Sequence, residues 1–296
     1  MTRPDIVYLD GEYLPRAEAR VSVEDRGFLF ADGVYEVTPA YQGGFFRLDR
    51  HMARMRRGLC ALEIDAGLEE LEDVHRELLR RNGLEDEEVS IVYYQVTRGA
   101  ARRTHHFPSP PVRPTVYAYA GPYRRPAPEE WDRGYHAITV PDQRWGRADL
   151  KTTQLLPNTL AQEQAKRAGV ADAIFVRDGL ALEGAHNNLF AVLGGRLVTH
   201  PASNQVLPGI VREFILELAR DEGLAVEERP IPVAELQYTE ELFFTGTTTE
   251  VRPTVEVDGR PVGNGQVGPV TRQLSEAFRR GVARECGVSA PEVSQG

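Results

Sequence analysis

The sequence predicts an α+β protein, and three observations lead there. Runs rich in Val, Ile, Phe and Tyr are joined by short turn signals, as at Asp10-Gly11, Asp178-Gly179 and Gly194-Gly195, which is the pattern of antiparallel hairpins. Amphipathic helical stretches interrupt these runs without a regular strand–helix alternation. GxxxxGK[ST] does not occur, so an NTP-binding P-loop finds no support. The 296 residues are enough for two domains, and a content of 41% hydrophobic and 27% charged residues is ordinary for a globular chain.

The elements follow in order. Hairpin-like strands open the chain, with turns at Asp10-Gly11 and Gln42-Gly43-Gly44. Met52, Met55, Leu59 and Leu62 recur at helical spacing and predict a helix over 49–62. Leu68, Leu71, Val74, Leu78 and Leu79 predict another over 68–81. VSIVYYQVT (89–97) and PTVYAYAG (114–121) read as strands, separated by the long basic loop RGAARRTHHFPSPPVR. Loops of that length within a domain are uncommon and are often functional. GPYRRPAPEEWDRG is rich in Pro and charge and reads as a linker over 121–134. Strands resume at 135–140, and a helix follows over 158–168. Two hairpins come next, then a helix over 210–222 with Val211, Phe214, Ile215 and Leu218 inward. The strand ELFFTG leads to a polar turn, TTTEV, and a last helix spans 268–285. The expected organisation is an N-terminal domain over 1–120, the linker over 121–134, a second domain over 135–286 and a frayed tail over 287–296.

A net charge of −9 argues against nucleic acid as a partner. No apolar run approaches a membrane span, and MTRPDIVYLDGEYL reads as strand and turn rather than as an apolar leader. The two cysteines, Cys60 and Cys286, fit free thiols in a reducing cytoplasm. No metal-ligand cluster is present, since His105-His106 alone is too little to specify an ion.

Of 35 basic side chains only Lys151 and Lys166 are lysine. Arginine substitutes for lysine wherever charge alone is needed, but not where an amine must lose its proton and attack a carbonyl. Lys166 lies near the end of a predicted helix, where a cation suits the helix dipole. Lys151 has no such explanation and is the candidate for chemistry. An imine-forming lysine calls for a keto substrate or pyridoxal phosphate. The latter needs anion donors, an acid for its ring nitrogen and a clamp for a substrate carboxylate. Pro208-Gly209-Ile210-Val211 opens a helix whose first N–H groups can hold an anion. Thr245-Gly246-Thr247-Thr248-Thr249 supplies hydroxyls, Glu183 an acid, and Arg54, Arg103 and His105 cations. Each also has a plain structural reading, as a helix start, a strand end or a solvated charge, and composition alone does not choose among them.

Taken in order, EDRGFLFADGVYEV, HMARM, YYQVTRGAARRTHHFP, LKTTQLLPN, LEGAHNNLF, VLPGIVRE and FFTGTTTEVRPTV resemble the fold-type IV pyridoxal-phosphate aminotransferases. The resemblance runs from about residue 5 to 285. It implies a smaller N-terminal α/β domain and a larger, β-barrel-like C-terminal one. Within the family the chain is most similar to D-amino acid transaminases, on the Arg103-Thr104-His105 motif. Branched-chain aminotransferases and aminodeoxychorismate lyases share the lysine and phosphate motifs without it. The resemblance implies that Lys151 binds pyridoxal 5'-phosphate through its amine and moves the substrate proton. It places Glu183 on the ring nitrogen, Leu207 on the ring face, and Arg54, Ile210, Val211 and Thr247 on the phosphate. His186 and Asn187 would lie beside the cofactor. Tyr35, Arg103, His105 and Thr248 would bind substrate, with the RxH loop reaching in from the neighbouring subunit of a homodimer. The implied reaction passes the amino group of a D-amino acid, of the D-alanine or D-glutamate type, to a 2-oxo acid such as pyruvate or 2-oxoglutarate. An (R)-amine or branched-chain aminotransferase, or a lyase of the aminodeoxychorismate type, is the alternative. Three places depart from the family pattern. Ala185-His186-Asn187 replaces a serine run, Val211 stands where threonine is common, and Gly246 replaces a serine. The lost hydroxyls imply a weaker hold on the cofactor.

Overall fold

A computed structural model describes residues 4–288. The chain divides into two compact units. One holds residues 4–124, the segment Leu150–Gln154 and residues 283–288, and the other holds Arg125–Asp149 and Leu155–Val282.

The first unit contains β1 (Ile6–Leu9), β2 (Glu12–Pro15), α1 (Arg26–Phe30), β3 (Gly33–Tyr41), β4 (Gly44–Phe45), α2 (Leu48–Ala61), α3 (Leu71–Arg81), β5 (Ser90–Thr97) and β6 (Thr115–Pro122). Its strands form one antiparallel sheet in the order β2-β1-β6-β5-β3-β4. Alternation along β5 sends Val92, Tyr94 and Val96 into a core with Met55 and Leu59 of α2 and Leu78 of α3. On the other sheet face a tyrosine row crosses three strands. Tyr35 stacks on Tyr93 at 5.4 Å, Tyr93 stacks on Tyr119 at 5.0 Å, and the Arg16 guanidinium lies 4.6 Å above Tyr119. The helix expected from residue 68 starts at Leu71. Gly67 interrupts the pattern, and Leu68 still reaches the core from outside the helix. The short helix α1 has no periodicity to reveal it, and it exists because the Asp25 side chain caps it by accepting from the Gly27 N–H at 2.8 Å.

The second unit contains α4 (Pro128–Arg133), β7 (Tyr135–Pro141), α5 (Leu156–Arg167), β8 (Asp172–Arg177), β9 (Leu180–Gly184), β10 (Asn188–Leu193), β11 (Arg196–Thr199), α6 (Ile210–Asp221), β12 (Val226–Glu228), β13 (Ile231–Pro232), a 3₁₀ turn at Val233–Tyr238, β14 (Glu241–Gly246), β15 (Glu250–Val257) and β16 (Arg260–Pro261). The helix α7 (Pro269–Cys286) follows. Strands β10-β14-β15-β7-β8-β9 form a ring that closes through the pair Asn188↔Glu183. All six contribute to one apolar cluster: Ala137, Ile174, Ala181, Leu189, Ala191, Leu242, Phe244 and Val257. Alanines set against larger side chains suit the limited space inside a small barrel. β7 and β8 are parallel, so a crossover must join them. That crossover contains α5 and, before it, Lys151. Lys166 falls in the last turn of α5, where its charge meets the helix dipole as expected.

Asp178-Gly179 and Gly194-Gly195 both adopt positive φ at the two turn positions, as a tight hairpin requires. Two expectations change. Part of the 121–134 stretch is helix α4. Its proline occupies the first turn beside Glu129 and Glu130, and Arg133 sits in the last turn. The composition that resembled a linker also suits a short helix, with Pro and acids in its first turn and a base in its last. The TTTEV turn is shorter than expected, because Glu250 and Val251 already belong to β15. The tail expected over 287–296 lies outside the described residues beyond 288.

Buried His75 makes the first unit acid-sensitive. Its Nδ1 bonds the Leu71 carbonyl at 2.7 Å, and its ring stacks on Tyr94. Burial lowers its pKa to about 4. An unfolded histidine titrates near ~6.5, so the unfolded state takes up a proton before the folded state does. Stability is therefore full above that pH and falls as pH drops, by up to about 3 kcal/mol on reaching pH ~4. Buried His51 is also lowered and acts in the same direction. Denaturation followed by hydrogen exchange in β5 should show this loss, and a flat profile between pH ~7 and ~5 would contradict it.

Candidate active site

The predicted site residues divide between the units, and each group is set by its own scaffold. In the first unit Lys151 is fixed by its backbone. Its carbonyl accepts from the Tyr35 N–H at 3.0 Å, Val34 bridges Thr152, and the Thr153 N–H donates to the Gly33 carbonyl at 3.1 Å. The segment is thus an extra partner for the start of β3. It brings the half-buried Lys151 Nζ to 3.3 Å from the Tyr35 hydroxyl and 4.3 Å from the centre of the Tyr35 ring. Tyr35 is itself stacked on Tyr93, which restricts the phenol beneath the amine.

On the helix-facing side of β3, Glu36 meets α2. Its carboxylate accepts from Arg54 Nε at 2.7 Å, from Arg54 Nη2 at 2.9 Å and from His51 Nδ1 at 2.8 Å. All three side chains are buried. Burial alone would raise the Glu36 pKa, but Arg54 and His51 reverse this and hold the carboxyl well below its usual range. Ionised Glu36 can only accept, so His51 carries its proton on Nδ1. Burial lowers the His51 pKa, leaving a neutral ring. Its Nε2 is buried without a hydrogen-bond partner among the described residues. Arg54 is a permanent cation aimed by a bidentate carboxylate. Arg103 and His105 lie exposed in the loop between β5 and β6, against Phe30. Among the described residues no hydrogen bond joins either to Tyr35 or Lys151.

In the second unit Glu183 ends β9 at the ring closure. It pairs with Arg144, accepts from Asn188 Nδ2 at 2.9 Å and accepts from the Leu207 N–H at 3.2 Å. Burial pushes its carboxyl above the ordinary range, while the Arg144 charge opposes that shift. Arg144 is also held by Asp142 at 2.9 Å. Asn188 Nδ2 binds the Leu207 carbonyl at 2.8 Å as well, so Leu207 is fixed beside the acid through both backbone groups. Gly209 approaches the Asn188 side chain so closely that a Cβ there would collide with it. Next, α6 begins with Ile210 and Val211, whose side chains are buried. What they can offer an anion is their N–H groups, which no preceding turn satisfies. Thr247 and Thr248 form the turn between β14 and β15.

The loop from Glu183 to Asn188 is anchored by buried Asp172. This carboxylate accepts from the Ala185 N–H at 3.2 Å and from Asn187 Nδ2 at 2.6 Å, and it pairs with Arg252. Asn187 is therefore part of the barrel framework, with its Oδ1 buried and unpartnered among the described residues, while His186 is exposed.

Sequence reasoning missed Glu36, Arg144, Asn188 and Asp172. Only Glu36 left a usable signal, as an acid on the inward-facing side of a strand, where burial demands a partner. The donors fit a phosphorylated pyridine aldehyde. The first unit offers an amine, an aimed guanidinium and an orphaned buried imidazole nitrogen. The second offers a positioned carboxylate and a helix N-terminus. Among the described residues no group of three or more His, Cys, Asp or Glu is placed to hold a metal, and no helix is long and apolar enough to cross a membrane.

The chain is 41% identical over 276 residues to a D-alanine aminotransferase of Staphylococcus haemolyticus, covering 93% of this chain and 96% of that one. Its fold matches a branched-chain amino acid aminotransferase of Escherichia coli with a TM-score of 0.87, at 26% identity over 99% of this chain and 98% of the other. It also matches a branched-chain amino acid aminotransferase of T.th. with pyridoxamine 5'-phosphate, with a TM-score of 0.86, at 27% identity over 98% and 96% of the two chains. Residues 33–257 match the family Amino-transferase class IV. Lys151, Arg54 and Glu183 all lie within that span, and the chain belongs to the class IV aminotransferases.

Proposed function

We propose that this protein transfers the amino group of a D-amino acid to a 2-oxo acid with pyridoxal 5'-phosphate as cofactor. The observation that carries this is Lys151, whose backbone is bridged to β3 and whose amine is held over Tyr35. Lysine is otherwise almost absent from the chain. The bound cofactor supplies an electron sink for the substrate carbanion. Lys151 would hold it, and its amine would move the proton at the substrate α-carbon. Glu183, kept in place by Arg144, Asn188 and the Leu207 N–H, holds the ring nitrogen, and Leu207 covers the ring. Arg54, the N–H groups of Ile210 and Val211, and Thr247 hold the phosphate. His186 and Asn187 border the cofactor. Tyr35, Arg103, His105 and Thr248 receive the substrate, and Arg103 and His105 serve the neighbouring subunit of a homodimer.

The D-configuration is supported by the Arg103-Thr104-His105 motif and by the D-alanine aminotransferases among the similar proteins. A branched-chain specificity is the second reading, favoured by the fold neighbours. Half-reactions followed by cofactor absorbance separate the two. D-alanine should bleach the visible band and L-alanine should not. Bleaching by L-leucine would transfer the protein to the branched-chain group. Sedimentation should give a dimer.

A further inference from the structure

We propose that Arg26 is a positioning residue for the substrate-clamping loop, holding Arg103 and His105 in their working places. This rests on the reading of Arg103 and His105 as the carboxylate clamp. The loop spans residues 98–114 and its tip is exposed. An exposed segment of this kind ordinarily samples many conformations, yet a clamp for one carboxylate needs a fixed geometry.

The base of the loop is fixed by backbone pairing. The Arg26 N–H donates to the Gly99 carbonyl at 3.0 Å, Asp25 bridges Ala100, and the Ala101 N–H donates to the Glu24 carbonyl at 3.1 Å. At the tip, Arg98 lies 3.5 Å from the centre of the Phe107 ring and Thr104 Oγ1 donates to the His106 carbonyl at 3.0 Å, but the carbonyls on either side of His105 are both held by Arg26. Arg26 is only 3% exposed. Its Nε pairs with Asp32 at 2.9 Å, and its Nη1 donates to the carbonyls of Thr104 at 2.8 Å and His106 at 3.4 Å. These two carbonyls flank His105. Phe30 completes the seat: the Arg26 guanidinium stacks on one part of it at 4.6 Å, Arg103 lies 5.0 Å from its centre, and His105 packs against it at 5.9 Å. The planar fork of arginine makes this possible, since one group can bind a carboxylate and two carbonyls while stacking on a ring.

The residues on either side of Asp32 also hold the lysine segment. Asp32 lies between Ala31 and Gly33, whose carbonyls accept from Thr153 Oγ1 at 2.9 Å and the Thr153 N–H at 3.1 Å. The same short stretch therefore registers Lys151 and, through Arg26, the clamp loop. Asp32 has a second cation, Arg98, at 2.8 Å. Replacing Arg26 thus leaves no unpaired buried acid, and the fold should survive.

The test is Arg26→Met in the holoenzyme, beside Arg103→Ala. Losing a charge-assisted bond that sets the clamp should raise KM for amino acid and 2-oxo acid about tenfold or more. Saturated kcat, cofactor affinity and the circular-dichroism spectrum should change little, and amide exchange at 102–107 should quicken. A purely structural role would instead lower kcat and cofactor affinity while KM rises. Unchanged KM in Arg26→Met with raised KM in Arg103→Ala overturns the positioning role and leaves the clamp standing. Unchanged KM in Arg103→Ala removes the clamp itself. Should Arg26→Met not fold, Arg26→Lys and Phe30→Leu carry the same comparison, with the same outcomes supporting or overturning the role.

Discussion

Lys151→Ala should give a folded, colourless protein that does not transaminate. The loss in kcat/KM should be roughly 10⁴-fold or more, because covalent attachment and proton transfer disappear together. Stability should hardly move. The bonds that fix this segment are backbone bonds, from the Tyr35 N–H to the Lys151 carbonyl and from the Thr153 N–H to the Gly33 carbonyl, and alanine keeps them. What is lost is the contact of Nζ with the Tyr35 hydroxyl and ring, worth about 0.5–1 kcal/mol at a partly exposed position. Absorption spectra, thermal melts and turnover assays check the three expectations. Retained transamination would remove Lys151 from the chemistry, and unfolding would make it a structural residue.

Glu36→Leu should have the largest effect on stability. Glu36 is the shared counter-ion of buried Arg54 and the acceptor of the His51 proton. Removing one side of a buried pair strands the other charge, at a cost of about 3–5 kcal/mol. That is a large share of a typical domain stability of about 5–15 kcal/mol. The double variant Glu36→Leu/Arg54→Met should recover much of the loss, since it strands no charge. It should not recover cofactor affinity, because the guanidinium is gone. Inorganic phosphate or cofactor should stabilise Glu36→Leu more than the parent protein by restoring an anion beside Arg54. Chemical denaturation with and without phosphate is the measurement. Equal stabilisation of both proteins would place the phosphate elsewhere.

Elements with a clear period or a glycine turn were legible in the sequence, as was the family to which the order of the motifs pointed. The supporting charges were not. The arginine enrichment that isolates Lys151 also hides Arg26, Arg144 and Arg252, because one arginine among many carries no signal. Their roles depend on which carboxylate the fold brings near: Asp32, Glu183 and Asp172 respectively. These partners lie 6, 39 and 80 residues away, and no local pattern links such distances. Helix α4 was read as a linker because Pro, Glu and Arg serve helix ends and solvated segments alike. Glu36 left a signal, an acid on the inward-facing side of β3, but its partners Arg54 and His51 come only with the fold that packs α2 against that face.

The closed ring bears on how this protein can diverge. Across the link from Glu183 to Asn188, five of six positions are buried and bound to the framework. Glu183 and Asn188 close the ring, a Cβ at Gly184 would collide with Asn187, and Ala185 and Asn187 are tied to Asp172. Position 186 alone is exposed. The other five can change only in concert with their neighbours. Selection acting here, natural or in a laboratory library, therefore meets a link whose buried members change together or not at all, which keeps Glu183 in register with the ring.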